Sequence, residues 1–222
     1  MIVKITQTAS NIKQEYDIER EDHYLRGKAG SVSRFQNIVM SGADVSIEGK
    51  YHVSSPVNYI PFRYLFGAAN QRRNFCLYRD GEKYGDIFFI RHGFLKSFYM
   101  IDLDDGTDFC CYVRLIDSFS YISIYRDRKQ IALVETLLSN DDYKFVHKLY
   151  ILKQWERYAD TLAFFVLYYA NFCFTRRFHM SMGSVTVKRA RSFSDYNHKY
   201  DPSWRETHFP DDNYFGKLHV FD

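Results

Sequence analysis

From Leu162 to Ala170 the chain reads LAFFVLYYA, and every residue is apolar or aromatic. That is more than two helical turns without a polar face. A surface helix keeps a polar stripe, so a helix that is apolar all round is surrounded, by protein or by lipid. The uncharged run Thr161–Phe174 spans 14 residues, whereas a bilayer crossing needs about 20. Length therefore favours a helix buried in protein over a short membrane segment flanked by Arg176 and Arg177. The run is also too long for one buried strand. We expect a helix over residues 155–172.

Something must cover such a helix, and the preceding 150 residues offer strands. Val3–Gln7, Glu15–Arg20 and Tyr24–Lys28 read as the first three, and Phe35–Met40 and Val45–Glu48 flank a Ser-Gly-Ala-Asp loop. Pro56 and Pro61 bracket an irregular piece, and Tyr59–Phe66 fits a strand or a short helix. From Asn74 a unit recurs. Phe75–Arg79 and Tyr84–Arg91 flank Asp80-Gly81, and Phe98–Leu103 and Phe109–Leu115 flank Asp104-Asp105-Gly106. Asp-Gly between apolar runs is a strong hairpin cue, because Gly accepts the positive φ of a primed turn. Tyr121–Tyr125 and Ile131–Leu137 follow, and Asp141-Asp142 turns the chain into Tyr143–Leu149. Strand, turn, strand without an intervening helix is an antiparallel meander. About 12 strands rarely stay open, and closure removes the edges. An eight-stranded barrel holds only its own side chains, whereas an 11-stranded can holds a helix. The expected fold is mainly β with a central helix (α+β). It is a closed antiparallel barrel of about 12 strands enclosing one apolar C-terminal helix, plus a C-terminal extension.

Composition agrees with this class. Hydrophobic residues make up 46% of the 222 positions and aromatics 18%, which is globular and leans toward sheet. A net charge of +3 is too mild to argue for nucleic acid. Cys76, Cys110, Cys111 and Cys173 form no CxxC and no zinc spacing. They read as buried free thiols in a reducing compartment. If Cys110 and Cys111 share a strand, they point to opposite faces. The first 20 residues have no apolar stretch of signal-peptide length, so a cytoplasmic protein is expected.

The order of many hairpins, then Asp141-Asp142-Tyr143-Lys144-Phe145, Tyr158-Ala159-Asp160 and LAFFVLYYANF, resembles the tubby C-terminal-like superfamily. That group includes tubby proteins, LURP-one-related proteins and phospholipid scramblases. The resemblance spans roughly residues 1–174 and rests on element order. It implies a 12-stranded barrel around a C-terminal helix at 1–174; residues 175–222 extend beyond that minimal barrel and, from their aromatics, are expected as an extension packing on the barrel exterior or on a partner. Tubby proteins bind phosphoinositides at membranes, and scramblases are associated with lipid movement and calcium. The phosphoinositide-binding positions of tubby find no residue-by-residue match, and none is carried over. Gly183–Lys188 echoes a stretch that precedes the helix in tubby, but here it follows the helix.

After the helix the chain turns basic. Arg176, Arg177, Lys188, Arg189 and Arg191 occur between Thr175 and Ser194 without an acid among them. Such a cluster reads first as a solvated face or loop, and after that as a contact for an anionic surface, lipid ahead of nucleic acid. Ser184–Arg191, with Val185, Val187 and Ala190 partly alternating, is compatible with a strand. Tyr200, Trp204, Phe209, Tyr214, Phe215 and Phe221 argue that the last segment packs on something, while Pro202 and Pro210 keep its elements short.

No GxSxG, HExxH, GxxxxGK[ST] or GxGxxG motif occurs. The eight histidines are scattered, with no two spaced three or four apart. Asp102–Asp108 invites a calcium reading, but an EF-hand needs Gly at position six and Glu at position twelve. Counting from Asp102, Gly106 is fifth and Val113 twelfth, so a hairpin turn accounts for these residues. The sequence thus predicts a non-catalytic binding or scaffold domain with no cofactor and no metal. Its expected partner is anionic phospholipid or a protein, met from the cytoplasm, at the membrane periphery if lipid. The alternative is a membrane-inserted, scramblase-like lipid protein; an enzyme of unknown class is the third reading.

Overall fold

The computed structural model describes residues 1–10, 13–21, 23–30, 37–51, 73–92, 96–116, 119–138, 145–173, 178–181, 184–187 and 199–212. Twelve strands dominate it. They are β1 (Ile2–Ser10), β2 (Lys13–Glu19), β3 (Tyr24–Gly30), β4 (Ile38–Ser41), β5 (Ser46–Tyr51), β6 (Arg73–Arg79), β7 (Glu82–His92), β8 (Lys96–Leu103), β9 (Asp108–Ile116), β10 (Phe119–Arg126), β11 (Lys129–Leu138) and β12 (Phe145–Ile151). Each pairs antiparallel with its sequence neighbours, and β1 pairs with β12 to close the barrel. The closing register sets Ile5 opposite His147 and Val3 opposite Leu149. Closure at twelve strands is what the meander predicted.

The turns explain the pairing. Asp80 and Gly81 have φ of 52° and 91°, as a primed two-residue hairpin requires. The Asp80 carboxylate also accepts the Ser46 N–H at 3.0 Å, tying this turn to β5. Gly106 sits at φ 79° in the next hairpin. Asp127 and Arg128 reach φ of 48° and 67° without a glycine. All these turns lie at one end of the barrel. The far ends of the strands, Ser10, Gly30, Tyr51 and His92 among them, lie at the opposite end.

After β12 the chain makes a 3-10 helix, Lys153–Tyr158, then α1, Ala159–Cys173. The helical segment expected at 155–172 therefore starts in the tighter form. Residues three apart eclipse in a 3-10 turn, which sets Trp155 and Tyr158 together against Phe109 at 6.1 and 5.2 Å. Asp160 pairs with Arg20, at the end of β2, at 2.6 Å, and Tyr169 meets Ser120, at the start of β10, at 3.3 Å. α1 thus runs from the tight-turn end toward the other.

Every residue from Thr161 to Ala170 is at most 4% exposed. Their partners are the strand positions that alternate with exposed ones. Phe75 on β6 packs 4.8 Å from Tyr168, and Tyr99 on β8 packs 5.7 Å from Phe165, ring centre to ring centre. Gly27 on β3 and Gly49 on β5 hold positions where a Cβ would stand 2.5 Å from Leu167 Cδ1 and 2.7 Å from Phe164 Cζ. No helix among the described residues is long and apolar enough to cross a membrane.

Beyond α1, β13 (Phe178–Ser181) and β14 (Ser184–Val187) form a separate two-stranded sheet, and α2 covers Trp204–His208. The strand expected over Ser184–Arg191 is described as far as Val187. Tyr59–Phe66 and Asp141-Asp142 lie outside the described residues.

Candidate functional site

The five cations singled out in the sequence, Arg176, Arg177, Lys188, Arg189 and Arg191, lie outside the described residues. The hairpin between them is described. In it Phe178 pairs with Val187 and Ser181 with Ser184.

Within the barrel the side chains divide by end. At the tight-turn end, Tyr158 donates to Asp105 at 3.0 Å and accepts from Arg157 at 2.6 Å. Its hydroxyl also meets Thr107 Oγ1 at 2.8 Å. Arg126 donates to Thr107 at 3.4 Å and lies 5.0 Å over the Trp155 ring. Burial would raise the Asp105 carboxyl, but hydrogen bonds from Thr107 and Tyr158 and the charge of Arg157 outweigh it and hold the group below its ordinary range. The aspartates once open to a calcium reading serve a turn here: Asp105 accepts the Thr107 N–H at 2.9 Å. No three His, Cys, Asp or Glu side chains among the described residues converge on a metal position.

The opposite end holds a buried polar set: Gln7, Gln14, Ser120, Thr136, His147 and Asn171. Gln7 accepts the Phe145 N–H at 3.3 Å, and Tyr16 donates to Gln14. His147 Nδ1 meets Thr136 Oγ1 at 2.8 Å. Burial pushes the imidazole down to about 3, so near pH 7 the ring is neutral, with one N–H rather than two. The thiols are held in the same way. Burial drives Cys76 up to about 11 and Cys111 well above its ordinary value. A thiol kept protonated is a poor nucleophile. Cys111 points inward and Cys110 is half-exposed, so the adjacent pair does straddle the sheet.

A third region is the outward face of β10–β12; the sequence leads one to expect the aromatic tail to pack on something, without naming these strands. Leu133 and Tyr150, opposite each other in the β11–β12 register, are buried in a small cluster with Trp204 of α2. Ile2, Leu152, Tyr200 and Phe209 pack around it. Tyr200 lies 4.7 Å from the Tyr121 ring, and Tyr125 donates to the Lys199 carbonyl at 2.8 Å. Charges frame the contact. Lys148 pairs with Asp212, with side-chain exposures of 7% and 13%, and Glu135 lies 3.6 Å from Arg205. Tyr150 donates to Glu135 at 3.3 Å. Burial raises the Glu135 carboxyl despite the opposing pull of Arg205. A signal for this surface existed. IALVETLL and FVHKLYI lack the polar alternation of a strand with one wet face, and every β12 residue is buried.

Comparison with sequence-family models, curated proteins and solved structures finds no match to this chain.

Proposed function

We propose that this chain is a non-catalytic binding or scaffold domain of the tubby-like type. In this reading the barrel, residues 1–174, encloses α1, and 175–222 is an extension on its exterior. Anionic lipid headgroups are met by Arg176, Arg177, Lys188, Arg189 and Arg191 at the membrane periphery of the cytoplasm. The observation that carries it is the burial of Thr161–Ala170, none more than 4% exposed. Side chains that fill an interior leave no room there for a ligand, so recognition falls to the outside. The direction of α1 supports the rest. The helix ends away from the tight turns, and the basic segment follows directly after it.

Vesicle co-sedimentation tests the reading. Phosphatidylserine vesicles are expected to pellet the protein and phosphatidylcholine vesicles to leave it in solution. Raising salt from about 0.1 M to 0.5 M should weaken the pelleting several-fold, because exposed charges are screened. Arg176→Gln with Arg177→Gln should do the same. Equal pelleting with neutral and anionic vesicles overturns the proposal.

A further inference from the structure

The outward faces of β3 and β5 carry exposed charges, Arg26, Lys28 and Lys50 among them. The outward face of β10–β12 differs. Its positions are Tyr121, Ser123, Leu133, Glu135, Lys148 and Tyr150, and the last five of these are at most 9% exposed. The segment 199–212 lies against Leu133, Glu135, Lys148 and Tyr150. That segment adds no strand to the barrel, whose order runs through β1–β12 alone. It holds on by side chains: Trp204 in the Leu133–Tyr150 cluster, Arg205 toward Glu135, Phe209 5.3 Å from the Tyr150 ring, and Asp212 on Lys148. An anchoring aromatic ringed by complementary charges is the anatomy of a peptide interface.

We propose that the outward face of β10–β12 is a peptide-docking surface, occupied in cis by residues 199–212 as a displaceable strap. Its partner is a protein segment of the same chemistry. That segment has a Trp on a short helical turn, an Arg beside it for Glu135, an aromatic one turn on for Tyr150, and a carboxylate for Lys148. Two observations argue that the strap is replaceable. The fit is incomplete: Ser123 Oγ, buried beside Leu133, has no partner among the described residues, so a ligand that brings a polar group there gains a bond the strap does not make. The strap is also tethered through residues 174–198. Being part of the same chain gives it an effective concentration that a free peptide lacks, which favours cis occupancy without a strong intrinsic contact. The idea is independent of the lipid reading, which concerns residues 176–191.

The test uses the full chain and a fluorescent synthetic peptide of residues 199–212. The double variant Trp204→Ala, Asp212→Asn weakens the strap and leaves the wall unchanged. By fluorescence anisotropy the variant should bind the peptide at least tenfold more tightly than the wild type. A folded variant that does not bind, or binds no better than wild type, overturns the proposal. Amide exchange on the wild type decides the matter even if the variant fails to fold. The 199–212 amides should exchange well before those of β11 and β12; exchange of both only on global unfolding sinks the strap.

Discussion

His147 shows what one buried residue does to the whole. Its ring is fully buried on the inward face of β12, with Thr136 on Nδ1. Its folded pKa, about 3, lies below the ordinary 6.5. The fold therefore favours the neutral ring, and the associated stability is complete above pH 6.5 and lost as pH falls toward 3. At about 1.4 kcal/mol per pH unit, going from pH 7.5 to 4.5 should cost about 2–3 kcal/mol from this residue. His147→Asn keeps a partner for Thr136 and removes the titration. Urea midpoints at the two pH values should converge in the variant relative to wild type. An identical pH dependence in both proteins would assign the acid sensitivity elsewhere.

At the scale of elements, the contact between α1 and the strands is set by two missing side chains. A Cβ at Gly49 would stand 2.1 Å from Phe75 Cε1 and 2.7 Å from Phe164 Cζ, and one at Gly27 would meet Leu167. Bulk at Gly49 must displace the Phe75 and Phe164 rings, and bulk at Gly27 must displace the Leu167 side chain. We expect Gly49→Ala to cost about 1–3 kcal/mol, the usual toll of overpacking, read as a lower urea midpoint with unchanged slope. Stability equal to wild type would mean that α1 sits further from β5. Most strands and their turns were legible from residues such as Asp80-Gly81 and Gly106, because turn chemistry is local. The 3-10 start of the helix was not, since it depends on Trp155 and Tyr158 meeting Phe109, far away in the chain.

For the whole molecule, the proposal that the barrel wraps α1 makes the centre of the helix intolerant of charge. Phe165 is fully buried and packs on Tyr99. A carboxylate there, stripped of water, costs several kcal/mol, a large share of the 5–15 kcal/mol that holds a domain together. Phe165→Asp should leave no soluble folded protein. Recovery of a monomer with wild-type circular dichroism would contradict a wrapped helix.

The sequence by itself determined what repeats at short range: the alternation of the strands, the positive-φ turns between them, and a helix with no wet side. These follow from backbone sterics and from the period of apolar residues. Only the tertiary structure decided the register in which β1 closes on β12, that inward glycines make room for Phe164 and Leu167, and that Trp204 packs on Leu133 and Tyr150. Each joins residues more than 20 positions apart, and a local pattern shows that a face is apolar without showing what comes to lie against it.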